Sequence, residues 1–427
     1  MENAVIVMLA VMLACILIRV PIAFCIGIAT LAAGIISARV PFVIIPQRMF
    51  TAIDSFPPMA VPFFILAGVV MNEAGITDRL FKFSLTLVGR LRGGLAHVSI
   101  VASMIFAGMS GSALAEAGGL GLVQIKAMRE RGYDVPFAAA LSASAATLGP
   151  IIPPSIPMVV YGAIAGVSTG RLFMGGIIPG LLLGLSLMVM VWLYARKRNY
   201  PVEGKPSATE FLRSFKNASL ALLTPLIILG GIGTGIFTPT EAAAVAATYS
   251  LVLAITVYRT IRFTDLSRIL TETVRTSSMI MFIIAVANAF SWVVTLVQAP
   301  AMLLRAIEGW HIVPVLLMVN VVFLIAGCCM ESLAILVVAT PIFLPVMMRL
   351  GVDPVHFGVF MVLNLMIGLL TPPVGLSVFV VSRIANEPAA RIFSAVGPFL
   401  IPFFIVLLVI TFYPPAVLFI PNLIYNR

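Results

Sequence analysis

Two short segments combine serine hydroxyls with breaks in an apolar helix. One, GMSGSA, places Ser110 and Ser112 on either side of Gly111. The other, GPIIPPS, covers residues 149–155 and contains three prolines. Each proline removes an amide donor and clashes with the carbonyl four residues back, so a helix has to stop there. Where broken helices lie inside a membrane, their exposed carbonyl oxygens can hold Na⁺, and the pattern therefore predicts a cation site.

Both segments recur at a constant spacing of 219 residues. The positions that match in this ungapped register include glycines, prolines and an aspartate: Gly108 and Gly327, Gly132 and Gly351, Asp134 and Asp353, Gly149 and Gly368, Pro153 and Pro372, Pro154 and Pro373, Pro179 and Pro398. One break alone is compatible with a proline kink that neighbouring helices relieve. Two breaks in register, each preceded by a small-residue tip, favour an internal repeat built around a site.

The composition identifies the solvent of this chain as lipid. Of its 427 residues, 61% are hydrophobic and 10% are charged, whereas soluble domains are about 25% charged. Such a chain cannot cover its apolar surface with polar atoms, which predicts a polytopic membrane protein. The formal net charge is +10, but the basic residues lie in short loops between apolar segments, as membrane topology requires. We therefore expect a lipid bilayer, and no nucleic acid, beside these charges.

The apolar segments predict the helices that position the two motifs. A helix needs about 20 apolar residues to cross a bilayer. Eight candidate spans lie at 4–18, 21–38, 60–74, 173–195, 219–236, 241–258, 277–298 and 394–413. Two further spans, 136–169 and 355–384, contain the breaks. The polar stretch 199–217 predicts a linker, and 45–58 and 76–92 predict amphipathic helices along the membrane surface.

Two pairs of apolar segments flank the small-residue tips. They are 94–107 with 112–130, and 313–326 with 331–348. A helix over 94–107 would be about 20 Å long, or about two-thirds of a hydrocarbon core. Both pairs are too short or too interrupted by glycine to span independently, and they are predicted to form re-entrant hairpins whose tips stop inside the bilayer.

The number of spans and the charge distribution predict the orientation. Five predicted spans separate the two hairpins, and this odd number makes the second repeat inverted relative to the first. An outside N-terminus places 20 of the 26 Lys and Arg residues inside and six outside, in accord with the positive-inside rule. The inside set includes Arg19 and Lys205, and the outside set includes Arg39 and Arg427. Both termini are therefore predicted on the outer side.

The predicted fold is all-α, with inverted repeats, two re-entrant helical hairpins and two broken transmembrane helices. The repeats divide the chain into scaffold segments and two halves of a transport domain: 1–92 (scaffold and amphipathic arm), 93–170 (hairpin 93–131 and broken helix 136–169), 171–312 (scaffold, linker 199–217 and second arm), 313–390 (hairpin 313–349 and broken helix 355–384) and 391–427 (C-terminal scaffold helix and tail).

Four motifs together resemble the large membrane subunit of TRAP (tripartite ATP-independent periplasmic) transporters. They are GMSGSALAEAGGLG, GPIIPPS, DSFPPMAVPFFILAG and TPPVGLSVFV. The resemblance covers almost the whole chain and is closest to the sialic acid branch. It implies an elevator-type carrier in a bacterial inner membrane that takes up a small organic acid, a carboxylate such as sialic acid. It also implies coupling to Na⁺ at two or more sites, a small four-helix membrane subunit and a periplasmic substrate-binding protein.

The same resemblance implies the residues of the sites. The first Na⁺ site would use Ser110 and Ser112 with the carbonyls of Gly149, Ile152 and Ser155. The second would use Gly327, Gly368, Thr371 and Val374. The residues implied in substrate binding are Ser112, Pro153, Pro154, Ser155, Thr371 and Pro372. The chain departs from the family at Glu116, where Asp is commoner, and at the second tip, where Cys328 and Cys329 replace hydroxyl residues.

Two acids just past the tips have two interpretations. Glu116 and Glu331 are functional if they lie within the membrane, where acids usually serve a site. Each is structural if it complements the dipole at a helix N-terminus. The sequence leaves both interpretations open.

Three other functions compete with this one. A single-component Na⁺/dicarboxylate carrier would share the architecture but need no binding protein. An intramembrane serine protease would use Ser110 in its GxSG pattern, yet it needs a histidine within hydrogen-bond reach, and His97, His311 and His356 lie far along the chain or near segment ends. A passive channel is built from selectivity rings rather than from inverted broken helices.

Overall fold

A computed structural model describes residues 2–18, 20–37, 41–198, 200–202, 204 and 206–425. The topology prediction at Arg19, Arg39, Lys205 and Arg427 lies outside the described residues. All regular elements in the described part of the chain are helices. Seven of them are long and apolar enough to cross a membrane, or eight if one bent pair counts as a span. The predicted all-α polytopic membrane fold is confirmed.

Ten helices form the first half of the described chain. Their bounds are α1 Glu2–Leu17, α2 Ile22–Ser37, α3 Ile44–Ile53, α4 Ala60–Glu73, α5 Ile76–Val88, α6 Gly94–Ser110, α7 Ala113–Glu130, α8 Val135–Ala146, α9 Ile156–Ala165 and α10 Thr169–Arg198. Ten more form the second half: α11 Ala208–Gly233, α12 Pro239–Val252, α13 Phe263–Leu296, α14 Ala299–Ala306, α15 Ile312–Cys329, α16 Ser332–Arg349, α17 Pro354–Gly368, α18 Leu376–Ala385, α19 Ala389–Phe412 and α20 Pro415–Tyr425. A π-helical turn, Leu253–Val257, extends α12.

Helix bounds recur at the spacing found in the sequence. The helices α7 and α16 are related by 219 residues at both ends (332 − 113 and 349 − 130). One pair differs in shape: α3 and α4 meet at a bend of 54°, whereas the corresponding part of α13 is a continuous helix. The prolines Pro57 and Pro58 explain the bend, because Thr276 and Ser277 stand at the corresponding positions of α13.

The predicted linker 199–217 is wrong in its second half. Residues 208–217 are the first turns of α11, which starts at a capping box. The Ser207 hydroxyl accepts from the Glu210 amide, and the Glu210 carboxylate accepts from the Ser207 amide. This reciprocal cap satisfies two amides that a helix start leaves unpaired, so a polar sequence can begin a helix.

The expected shortness of the hairpin helices fails for the second pair. Both α15 and α16 contain 18 residues and are long and apolar enough to cross a membrane. Helix length therefore does not distinguish a re-entrant hairpin from two membrane spans in the pair α15 and α16. Instead, each tip contacts the break of one broken helix, and these contacts, described below, associate each helix pair with that broken helix.

The broken helices lie at the centre of the packing. The helix α8 packs against α7, α18 and α19, and α17 packs against α15, α16 and α10. Every residue of α17 from Val355 to Gly368 is buried. The predicted surface helices are covered on one side, since α3 packs along α13 and α5 packs against α6 and α11.

Candidate cation sites and substrate cavity

The first tip is a left-handed glycine between two helices. The helix α6 ends at Ser110, and Gly111 follows with φ 61°. This positive φ favours glycine, because a Cβ would clash with the backbone. Ser112 then caps α7, with its hydroxyl accepting from the Ala115 amide at 3.4 Å. The tip therefore brings two serines close to the N-terminus of α7.

The first break leaves carbonyl oxygens without donors. The helix α8 stops at Ala146 and α9 starts at Ile156. Ser155 caps α9, with its hydroxyl accepting from the Met158 amide at 3.2 Å and donating to the Pro150 carbonyl. Among the described residues, no hydrogen bond reaches the carbonyls of Gly149 or Ile152. Buried carbonyls nearly always have a partner, so these two are available to a ligand.

The first tip and the first break are in direct contact. The Ile156 amide donates to the Gly111 carbonyl at 3.3 Å. A Cβ on Gly111 would lie 2.7 Å from the Pro154 carbonyl oxygen. The predicted meeting of the tip with residues 149–155 is therefore found in the structure.

Buried oxygens converge between this tip and this break. The Ser110 hydroxyl is buried and has no hydrogen-bond partner among the described residues. Both Glu116 carboxylate oxygens are buried, and the Ser103 hydroxyl is their neighbouring side-chain partner among the described residues. Glu116 is 1% exposed, and a Cβ on Gly149 would lie 2.9 Å from its Oε2. Leaving a buried polar group unpaired is costly, which suggests that a ligand completes the site. Hydroxyl, carboxylate and carbonyl oxygens fit a hard cation such as Na⁺.

The second tip also rests on its break, with different chemistry. The Val374 amide donates to the Cys328 carbonyl at 3.1 Å. Thr371 Oγ1 lies 3.0 Å from Cys328 Sγ and within 3.1 Å of the Ile367 carbonyl. Thr371 also donates its amide to the Gly368 carbonyl. No hydrogen bond among the described residues reaches the Gly327 carbonyl, so this site can offer Na⁺ backbone carbonyls and one hydroxyl.

A cavity of about 350 Å³ lies between the two tips. The tip residues that line it are Ser110, Gly111, Ser112, Glu331 and Ser332. Of the residues predicted to bind substrate, Ser112 lines this cavity. Pro153, Pro154, Ser155, Thr371 and Pro372 are not among its lining residues, and Pro150, Ile156 and Pro157 line the wall near the first break instead.

The two acids past the tips lie in different surroundings. Glu116 lies behind the first tip, against Gly149 and away from the cavity lining. Glu331 takes the register position of Ser112 and stands at the start of α16 without a side-chain cap bond. It lines the cavity. The position of Glu116 favours a role in the first cation site, and that of Glu331 a role at the cavity wall.

The sequence did not identify the scaffold side of the cavity. That wall is lined by polar residues from α4 and α13: Asn72, Glu73, Glu272 and Thr276. Arg268 holds Glu73 through two hydrogen bonds of 2.7 and 2.8 Å. In the sequence, this wall could have been suspected only from Glu73 at the end of one apolar helix and Arg268 near the start of another. Nothing in the sequence pairs them, because they lie 195 residues apart.

A protease site is not formed around Ser110. His97 lies 13 residues earlier on the same helix (110 − 97), which is about 20 Å away. The His356 ring bonds the Ile410 carbonyl at 2.6 Å. The His311 ring accepts from the Val313 amide at the start of α15. In the described residues, therefore, each histidine is distant from Ser110 or bonded elsewhere, and Ser110 lacks the base that a protease needs.

Comparison with known proteins agrees with these features. A family model described as "Tripartite ATP-independent periplasmic transporter, DctM component" matches residues 9–416. The sialic acid TRAP transporter large permease protein SiaM of Vibrio cholerae is 45% identical over 406 residues, covering 94% of this chain and 95% of that protein. The C4-dicarboxylate TRAP transporter large permease protein DctM of Pseudomonas aeruginosa is 43% identical over 377 residues, or 88% of each chain.

A solved structure shows a similar fold. The Alcanivorax borkumensis YdaH transporter superposes with a TM-score of 0.61 at 13% identity, covering 86% of this chain and 87% of that chain. At this identity the likeness concerns the fold alone. The relatives matched at higher identity are named as permease proteins rather than enzymes. The chain therefore belongs to the DctM family and is a large permease subunit of a TRAP transporter.

Proposed function

We propose that this subunit carries a small organic acid into the cell together with Na⁺. The observation that carries the proposal is the cavity of about 350 Å³ shared by both hairpin tips, with a helix break behind each tip. A cavity of this size accommodates a small ligand. Cations bound beside it would offset the negative charge of a carboxylate substrate, which links the binding of the two solutes.

At least two Na⁺ sites are proposed. The first comprises Ser110, Ser112 and the carbonyls of Gly149, Ile152 and Ser155, to which we add Glu116. The unpartnered Ser110 hydroxyl and the buried Glu116 carboxylate against Gly149 support it. The second comprises Gly327, Gly368, Thr371 and Val374, and the contact of the second tip with its break supports it. Glu116 makes the first site the stronger one, because a carboxylate attracts Na⁺ more than a neutral carbonyl does.

Sialic acid is the proposed substrate, with C4-dicarboxylates as the alternative. The relatives named for these two solutes are 45% and 43% identical, so identity alone separates them little. Both solutes are carboxylates, and Ser112, Ser332 and the helix N-termini at the two tips offer donors for such a group.

Two partners are proposed: a small four-helix membrane subunit and a periplasmic substrate-binding protein. The relatives are named as large permease proteins, which supports a small counterpart. Apolar side chains on α1 and α2 face outward; Leu17 is 74% exposed and Ile35 is 66% exposed. Lipid covers part of this surface, and the membrane subunit is proposed to cover the rest.

Transport is proposed to follow an elevator mechanism. The broken helices and hairpins would move as one body past α4 and α13, whose polar side chains line the opposite wall of the cavity. The repeats are proposed to be inverted in a bacterial inner membrane, with both termini on the periplasmic side.

Uptake into proteoliposomes tests the proposal. Labelled sialic acid and C4-dicarboxylates should each be offered with and without candidate binding proteins, in Na⁺ or choline. We expect uptake of one acid that needs Na⁺, the small subunit and a binding protein. Equal uptake in choline would refute the coupling. Robust Na⁺-driven uptake by this chain alone would instead establish a single-component carrier.

A further inference from the structure

A second, larger cleft lies away from the transport cavity, between the amphipathic helix α5 and the first turns of α11. Its volume is about 850 Å³. Three basic side chains line it: Arg79 and Lys82 from α5, and Arg213 from α11. The neutral polar groups beside them are Thr86, Ser214, Asn217 and Thr260. The transport mechanism uses none of these residues.

Among the described residues, the positive charge in this cleft is not paired with carboxylates. No ion pair within 4 Å joins Arg79, Lys82 or Arg213 to a carboxylate in the part of the chain that the structure describes. The cleft also contains Asp78 and Glu210. The Glu210 carboxylate is committed to the Ser207 amide at 2.8 Å. The described lining residues therefore include three cations and one uncommitted carboxylate, which favours an anionic ligand.

The walls of the cleft are held in place. The Arg79 guanidinium lies 4.0 Å from the centroid of the Tyr258 ring, a stacking that fixes its position. The Thr86 and Ser214 hydroxyls are 3.1 Å apart and tie α5 to α11. Phe83 packs against Phe215 with ring centroids 5.9 Å apart. The basic residues thus line a preformed cleft.

Apolar residues also line the cleft, namely Ala74, Leu85 and Pro206, and exposed apolar side chains that do not line it lie on the same turns of α11. On the first turns of α11, Phe211, Leu212 and Phe215 are 40%, 66% and 44% exposed. Arg213 lies among them in the sequence. A free anion would leave these apolar groups unused, whereas a phospholipid would bring its phosphate to the cations and its acyl chains to the apolar side chains.

The second half of the chain lacks this arrangement. The residues 219 positions after Arg79 and Lys82 are Gln298 and Ala301. The corresponding helix, α14, has Arg305 as its basic residue. The basic cleft therefore occurs in one of the two repeats. This is expected if it binds lipid from one leaflet of the bilayer, because inverted repeats place equivalent segments at opposite membrane surfaces.

We propose that the cleft between α5 and α11 binds the phosphate headgroup of an anionic phospholipid through Arg79, Lys82 and Arg213. The bound lipid would brace the arm helix α5 against α11, next to the hairpin helix α6 that α5 contacts. This site is independent of the transported solute and of the Na⁺ sites.

Native mass spectrometry of the detergent-solubilised chain tests the site with phosphatidylglycerol as the probe. We expect saturable binding in the wild type and much weaker binding of phosphatidylcholine. The double variant Lys82→Gln/Arg213→Gln spares the stacked Arg79 and changes two exposed side chains. Its affinity should fall by about fivefold for each cation removed. The variant Lys82→Arg/Arg213→Lys should retain binding, as should Arg305→Gln on α14.

Two outcomes would overturn the proposal. One is a double variant that binds phosphatidylglycerol as tightly as the wild type does. The other is inorganic phosphate that competes with the lipid as effectively as a soluble lipid headgroup, which would assign the cleft to a free anion. Both measurements read binding rather than uptake, so a failure here leaves the transport proposal unaffected.

Discussion

Gly327 and Gly368 meet backbone to backbone where the second hairpin tip rests on the end of α17. A Cβ on Gly368 would lie 2.5 Å from both the carbonyl carbon and the carbonyl oxygen of Gly327. No side chain can be accommodated at this distance, so the contact depends on glycine. Its consequence is that the carbonyls of the proposed second Na⁺ site have a fixed spacing.

The first prediction follows from this contact. Gly368→Ala should force the second tip away from the break, at a cost of about 1–3 kcal/mol for overpacking. We expect the Na⁺ concentration for half-maximal uptake to rise by about tenfold or more, since about 1.4 kcal/mol corresponds to a factor of ten. Gly397→Ala in α19 is the matched control, because its Cβ would have no atom within 4 Å. Unchanged Na⁺ dependence in Gly368→Ala would contradict the second site.

The second prediction concerns the first site. Ser110→Ala and Glu116→Gln should each raise the Na⁺ requirement without loss of expression, because the Ser110 hydroxyl has no hydrogen-bond partner among the described residues and the amide of Glu116→Gln still accepts from the Ser103 hydroxyl. If both hold one ion, their effects should be coupled by about 0.5–3 kcal/mol rather than additive. Na⁺-dependent uptake by the two single variants and the double variant measures the coupling.

Two controls accompany this cycle. Ser99→Ala removes another buried hydroxyl of α6, one that bonds its own helix at Leu95, and should leave Na⁺ dependence unchanged. Glu116→Asp keeps the charge and should retain more Na⁺ affinity than Glu116→Gln. Strict additivity of Ser110→Ala with Glu116→Gln would show that the two residues do not share an ion.

The third prediction tests the orientation of the chain in the membrane, with one labelling site at each end of α10. Ser168, just before α10, and Lys197, in its last turn, are both exposed. In a variant whose four native cysteines are serine, Lys197→Cys should react with a membrane-impermeant maleimide only in opened cells. Ser168→Cys should react in intact cells with a permeabilised outer membrane. The reverse pattern would invert the topology.

The fourth prediction compares two aspartates that occupy the same register position. Asp353 caps α17, and its Oδ1 accepts from the Val355 amide at 2.7 Å. Asp134 makes no cap bond and instead bonds Arg198 and Tyr200. Asp353→Ala should lower the free energy of unfolding by about 1 kcal/mol. Asp134→Ala should cost at most about 1 kcal/mol, because its pair with Arg198 is half exposed.

Thermal unfolding in detergent at low and high salt checks this pair. The effect of Asp134→Ala should shrink in high salt, because ions screen an exposed pair. The effect of Asp353→Ala should persist, because its cap bonds are short-range contacts within one helix end. A larger loss for Asp134→Ala at both salt concentrations would contradict this assignment.

The sequence alone predicted the helices and both breaks, because their causes are local. A run of apolar residues requires a helix in lipid, and clustered prolines stop one at residues 149–155 and again 219 residues later. Prediction from local sequence failed for the length of the second hairpin pair and for the predicted linker. The start of α11 depends on the reciprocal bonds of Ser207 and Glu210, and overall polarity hid that pattern in a predicted linker.

The tertiary structure decided which polar groups face one another. It placed Glu116 against Gly149, packed Gly327 on Gly368, and brought Arg268 to Glu73, which lines the cavity. These contacts join helices that lie far apart in the chain, so no local spacing encodes them. The physical reason is that hydrophobicity specifies which segments enter the membrane, whereas packing between helices specifies which faces of those segments meet.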